Sequence, residues 1–297
     1  MYRLPFPPMP SGKRARQQRQ AAAAAAPPPV RSKGIGGARA RQASPRALAI
    51  GGGVVLLIVI AIVLGVVLSG GSSSSGGGGV VTQQDLADLG TVGNQNNPNA
   101  MQGAAEANNL FKGIPQHGLV LGNPKAPVTM QMFIDVQCPI CQDYEVNHLP
   151  GVVNKYVKTG KVQVQLEPWA FIGDQSFTGR LGVIAAADQN KAFEYTKVLY
   201  DNQPPNSERT GYLTGRWMAQ IAASVTGLNL AQWRDDTNGA AAQATAKRVD
   251  KLATQVNAQG TPTIRVGPTG GKLQEATGRT YDPAAVDQAL AAAVANS

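Results

Sequence analysis

Cys138 and Cys141 are the two cysteines of a 297-residue chain, and they stand three positions apart directly after an apolar run. A disulfide scaffold needs several cysteine pairs spread through a small chain, so this spacing points to redox chemistry. If a helix begins at the motif, Cys138 sits at its first turn, where unpaired N–H groups and the macrodipole favour a thiolate. Its pKa is then expected below the free value of about 8.5. Cys141, one turn on, can attack a mixed disulfide on Cys138 and expel the partner, so Cys138 is the attacking sulfur and Cys141 the resolving one. Pro139 suits the first helical position. A structural disulfide closing so short a loop would remove little chain entropy. Zinc would need two further ligands, and the chain offers only His117 and His148. These two are expected as a linker residue and a helix-surface residue. No metal cluster, Gly-rich phosphate loop or Ser/His/Asp setting stands out, so neither a metal nor a bound cofactor is expected.

A second element, Gly260-Thr261-Pro262-Thr263, precedes a short strand far downstream. Proline lacks a donor and fits a strand entrance. An ordinary trans bond satisfies that position, whereas a cis Thr261–Pro262 bond would turn the chain sharply.

These residues need elements to hold them. Residues 128–136 (VTMQMFIDV) are predicted as a buried central strand ending just before Cys138. Tyr144, His148, Val152, Val153 and Tyr156 follow at near-helical spacing, with Pro150 expected to kink or divide the helix. Residues 161–167 alternate as a half-buried strand. Residues 176–258 carry amphipathic helical groups, namely Val183/Ile184/Ala187, Phe193/Lys197/Tyr200, Trp217/Ile221/Val225 and Val249/Leu252/Val256. Arg180 and Lys191 are expected as solvated helix charges there, and Trp169, Trp217 and Trp233 as core or groove aromatics. Thr263 opens a short strand, residues 267–271 form a turn, and 272–277 pair back. Asp282 as N-cap and Pro283 then open a last helix through Val286, Leu290 and Val294.

The N-terminal third is compositionally different. Residues 1–46 hold ten Lys or Arg and no acid, which leaves 17 basic against 18 acidic residues for the rest of a chain of net charge +9. The basicity thus belongs to the tail, and nucleic-acid binding as the main function is rejected. The tail, with its Pro and Ala tracts, is expected to be disordered. Residues 47–68 are charge-free and 22 long, the length of a transmembrane helix. A cleaved signal peptide is the alternative, but the run is long, is preceded by 46 residues and has no clear A-x-A site after it. Arg39, Arg41 and Arg46 on one flank put the N-terminus in the cytoplasm by the positive-inside rule. Residues 69–117 are expected as a flexible linker, with a short helix at most near 83–89. One folded domain, 118–297, follows on the extracytoplasmic side.

Three stretches, FIDVQCPIC, EPWAFIGDQSFTGRLGVIAAADQNKAFEYTKVLYDNQ and QGTPTIRVG, resemble the DsbA-like thiol-disulfide oxidoreductases of the thioredoxin superfamily. The resemblance spans about 118–295 and implies an α/β thioredoxin fold with an inserted helical domain, here preceded by one transmembrane helix. It implies that Thr261 and Pro262 form a cis-proline loop facing the cysteines. That loop, with Pro139 and Ile140, would contact an extended protein substrate by strand addition. Two departures matter. Met132 stands where relatives often carry a buried Glu, so Cys141 must exchange its proton with another group. Asp135 is the nearest carboxylate by sequence and is equally readable as a solvated strand end. The Pro139-Ile140 pair also lacks the His of strong oxidants. The expected function is an envelope dithiol oxidase, anchored in the cell membrane and reset by a separate redox partner. A reductase, an isomerase and a non-enzymatic peptide-binding module are the alternatives.

Overall fold

A computed structural model describes residues 81–276 and 281–297. The tail 1–46, the span 47–68 and the start of the expected linker lie outside the described residues. Among the described residues no helix is long and apolar enough to cross a membrane.

Six strands form one sheet: β1 (Gln116–His117), β2 (Val120–Leu121), β3 (Val128–Ile134), β4 (Val162–Pro168), β5 (Thr263–Pro268) and β6 (Gln274–Glu275), in the order β1-β2-β4-β3-β5-β6. All seven residues of β3 are buried, the polar Thr129 and Gln131 included, as a central strand covered on both faces requires. It pairs parallel with β4, from Val128 opposite Val162 to Ile134 opposite Pro168, and antiparallel with β5. The parallel pair needs a crossover. That crossover is α2, residues 139–157, whose turns alternate between α (Pro139–Asp143, Leu149–Val152) and π (Tyr144–His148, Val153–Val157). Pro150 neither ends nor splits it. The proline ring would clash with a carbonyl one α-turn earlier, and the wider π turns on either side accommodate it.

The helical insert consists of α3 (Asp174–Asp188), α4 (Ala192–Asp201), α5 (Gly215–Ser224), α6 (Leu230–Thr237) and α7 (Ala240–Gln255). Its centre is Trp233, fully buried, whose Nε1 donates to the Gly182 carbonyl at 2.9 Å. Arg180 is not a solvated charge as expected. Its side chain is buried and its guanidinium binds both carboxylate oxygens of Asp250, tying α3 to α7. The closing helix, α8 (Pro283–Ala295), begins as the sequence indicates, with Asp282 accepting from Ala284 N at 2.9 Å and Val286 and Leu290 buried.

The expected flexible linker requires correction over its described part. Val81, Leu86, Leu89, Ala104, Ala107 and Phe111 are all buried, the last three on α1 (Ala104–Phe111). The segment before α1 crosses the insert. Arg216 donates to the carbonyls of Asp85 and Ala87, Asn238 donates to Val81 O, and Gly93 exchanges backbone hydrogen bonds with 227–228. His117 lies on β1 rather than in a linker. Scattered apolar residues among many Asn gave no period to read, yet each fills a position on a surface built by distant helices.

At Gly182 an added Cβ would lie 2.6 Å from the Tyr195 hydroxyl and 3.2 Å from the Trp233 ring. Gly182→Ala is therefore expected to destabilise the protein by about 1–3 kcal/mol through overpacking, read as a lowered urea midpoint with an unchanged m-value.

Candidate active site

The site is built on the loop that leads from β3 into α2. Asp135 closes the strand, buried to 1% exposure, and its carboxylate takes four hydrogen bonds. Oδ1 accepts from Gln137 N at 2.8 Å and from the Ser176 hydroxyl at 2.7 Å. Oδ2 accepts from the amides of Phe171 and Ile172 at 2.6 and 2.8 Å. The expectation of a solvated strand end is therefore corrected. Both oxygens are engaged in holding the loop, which leaves neither open to carry a proton to Cys141.

The carbonyls of the same loop are gripped by the insert. Tyr200 donates to Asp135 O at 2.8 Å, Tyr212 to Val136 O at 2.9 Å and Gln203 to Gln137 O at 2.9 Å. The Gln137 side chain donates to Ser176 and accepts from Arg209 N. Sequence reasoning missed these clamps because each partner lies far along the chain from the loop. Of the clamping residues only Tyr200 carried a helical period; Gln203, Arg209 and Tyr212 lie in the loop between α4 and α5, where no period could be read.

Cys138 is the N-cap of α2, with extended backbone, and Pro139 occupies the first turn. Its Sγ accepts from Cys141 N at 3.3 Å, and its thiol reaches the Thr261 carbonyl, also at 3.3 Å. Both cysteines are free thiols. The hydrogen bond from the Cys141 side chain, aided by the Thr261 side chain and the amides of Cys141 and Ile140, outweighs burial and lowers Cys138 to about 7. Cys141 moves the opposite way. It is fully buried, and the lost hydration of its anion, reinforced by Cys138 beside it, raises it well above the ordinary thiol value.

The Thr261–Pro262 bond is cis, and Pro262 is buried at the start of β5, so this loop faces the cysteines. Pro139 and Ile140 are exposed beside Cys138. The protein also exposes Phe171 and Phe177, at 50% and 51%, and the Trp169 and Phe171 rings lie 5.0 Å apart. Neither histidine joins the site: His117 is on the β1–β2 hairpin and His148 sits half-exposed beside Asp143. Among the described residues no His/Cys/Asp/Glu group could hold a metal ion.

Two thiols of opposite acidity, opposed by a proline loop at the carboxyl end of a central strand, place the fold in the thioredoxin class of thiol–disulfide oxidoreductases. The family model described as Thioredoxin matches residues 115–276, more than half of the chain, and the chain belongs to that family. A curated relative, the probable disulfide bond formation protein D of Bacillus anthracis, is 26% identical over 149 residues, which is 49% of this chain and 68% of the relative. The Bacillus cereus protein of the same name has the same identity over the same length. Among solved structures, oxidised BdbD from Bacillus subtilis aligns with a TM-score of 0.53 at 20% identity, covering 60% of this chain and 94% of that one. Wolbachia pipientis alpha-DsbA1 aligns at 0.51 and 16%, covering 64% and 96%. These two likenesses are of fold.

Alkylation of the reduced protein is expected to rise with a midpoint near pH 7. Cys141→Ala should move that midpoint upward, because it deletes the largest stabiliser of the Cys138 thiolate. For stability the two thiols act oppositely: the lowered Cys138 favours the folded dithiol above the ordinary thiol range, a contribution that fades as pH falls through about 7, whereas the raised Cys141 disfavours it at alkaline pH. Asp135→Asn would turn an amide toward N–H donors and is expected to cost about 3 kcal/mol, measured by denaturant unfolding.

Proposed function

We propose that the protein is a dithiol oxidase that passes a Cys138–Cys141 disulfide to thiols of proteins outside the cytoplasm. The observation that carries the reading is the acidified Cys138 facing the Thr261–Pro262 loop while Cys141 is sealed beneath it. A substrate thiolate attacks Cys138 Sγ, and Cys141 leaves with the electron pair. A second substrate thiol then attacks the substrate sulfur and releases the Cys138 thiolate, so two electrons pass to the enzyme. A low Cys138 pKa stabilises the reduced form and makes the disulfide a better oxidant. The names of the curated relatives, disulfide bond formation proteins, support the same direction.

The substrate is an extended polypeptide. The backbone of the Thr261–Pro262 loop offers strand addition, and exposed Pro139 and Ile140 offer apolar contact beside the nucleophile. Residues 47–68 anchor the chain in the cell membrane with the basic tail in the cytoplasm, a placement supported by their charge-free length and flanking arginines. Reoxidation requires a partner that accepts two electrons.

One observation favours a reductase or isomerase instead. About 7 for Cys138 is the acidity of a thioredoxin thiol, whereas strong oxidants of this superfamily reach about 3.5. The reduction potential separates the two. A value of about −120 to −180 mV, with oxidation of a reduced unfolded protein, is expected for the oxidase; a value at or below about −270 mV would make it a reductase.

A further inference from the structure

We propose that Arg209 is a specificity-determining positioning residue of the redox site: it holds the turn at residues 169–173 so that exposed Phe171 forms the wall of the substrate groove opposite the Thr261–Pro262 loop. The role presupposes the oxidoreductase reading above, and it selects extended polypeptides with an apolar side chain beside the reacting cysteine.

The turn is anchored to the redox loop by its amides. Phe171 N and Ile172 N donate to Asp135 Oδ2, while Cys138 N donates to Asp135 O at 2.8 Å. Phe171 and the nucleophile are therefore bonded to the carboxylate and the carbonyl of one residue. Amide bonds alone leave a turn free to pivot about them. The carbonyl of the same Ile172 is taken by Arg209, whose Nε and Nη2 donate to it at 2.9 and 2.8 Å. Arg209 N also donates to Gln137 Oε1 at 3.0 Å, and Gln137 N donates to Asp135 Oδ1. Arg209 thus closes a ring of hydrogen bonds that runs from Asp135 through the turn and back by way of the residue before Cys138.

The arginine is held for this task at some cost. Its φ is +58°, a left-handed conformation that is unfavourable for a residue with a side chain unless its surroundings impose it. Among the described residues it has no carboxylate partner, so its fork is committed to backbone. Its stem lies against Gly173, where an added Cβ would come within 3.3 Å of Arg209 Cγ.

What the turn presents is an aromatic edge. Phe133, Trp169 and Phe171 form a ladder from the core outward, the first two rings meeting edge-on at 6.5 Å and the last two at 5.0 Å. Phe133 is fully buried and pairs with Thr263, next to Pro262, whereas Phe171 is half exposed. The ladder starts beside the proline loop and ends in solvent. A substrate strand added to the Thr261–Pro262 backbone would lay one side chain against Phe171, and an apolar one benefits most from leaving water there. The groups that set the acidity of Cys138 are Cys141, Thr261 and Ile140. Arg209 is not one of them, so its effect falls on binding and not on the reactivity of the sulfur.

The test uses the full chain, a reduced peptide with two cysteines flanked by leucines, and oxidised glutathione to restore the disulfide. Two peptide thiols become a disulfide as the Cys138–Cys141 bond is reduced, and oxidised glutathione takes the two electrons in turn. Wild type should show a KM roughly tenfold lower for this peptide than for one with serines in place of the leucines. Arg209→Gly keeps the left-handed turn without strain, and keeps the amide donor, while deleting the guanidinium. It is expected to raise KM for the leucine peptide roughly tenfold, with kcat falling less than about twofold and the alkylation midpoint staying near pH 7. Arg209→Lys, which returns a single donor to the carbonyl, should recover part of the loss. Phe171→Ser should raise KM to the same extent and the double variant no further, because the arginine acts through that ring. An unchanged KM in Arg209→Gly, losses that add in the double variant, a fall in kcat with a displaced midpoint, or equal wild-type KM for the two peptides would overturn the proposal and leave the oxidoreductase reading intact. A wild-type chain that oxidises neither peptide would overturn both.

Discussion

The carboxylate of Asp135 is the constraint from which the rest of the site follows. It sits where β3 ends and the redox loop begins, and it draws together the loop's own amide, two amides of the 169–173 turn and the first turn of α3. A buried acid is expensive unless every lone pair has a donor, and here two donors reach each oxygen. Tyr200, Tyr212 and Gln203 then fasten the carbonyls of Asp135, Val136 and Gln137. The insert is thus a fixture for the loop as well as a lid on the sheet. Cys138 inherits its position from groups contributed by several separate elements.

Within that fixture a single helical turn separates two very different environments. Cys138 meets donors on the open side of the motif, while Cys141 meets only packed side chains and a neighbour of the same kind. The divergence comes first from hydrogen bonding at Cys138 and lost solvation at Cys141, with the neighbouring sulfur adding to the latter. The two sulfurs interact directly, so the proton state of one bears on the other. Such a division of labour lets one atom meet visitors while the other keeps its chemistry internal.

How far the sequence carried this can be traced residue by residue. The mostly apolar run before Cys138 made β3 legible, the alternation in 162–166 did the same for β4, and Asp282-Pro283 marked the start of α8, because each signal is local. The cysteine spacing was equally local. What stayed hidden depended on contacts between remote segments. Asp135 looked like a strand end because nothing nearby in sequence announces that residues 171, 172 and 176 will return to it. Nothing in the sequence singled out the buried Glu145 of α2; only the packing of α4 against that helix shows that its surroundings are dry. Residues 81–111 lacked any period because they follow a surface made by other helices instead of forming their own.

The strap formed by residues 81–103 has a mechanical consequence. The described chain enters at Val81 under Asn238, passes beneath Arg216 and is stitched alongside 223–230 before it reaches α1. Tension arriving from the N-terminal side is therefore delivered into α5 and α6, in shear across several hydrogen bonds, before it can reach β3 or the loop it carries. The seam that takes such a force is separate from the contacts that hold the reactive sulfur, so a pull on the tail strains the scaffold's outer helices ahead of the nucleophile.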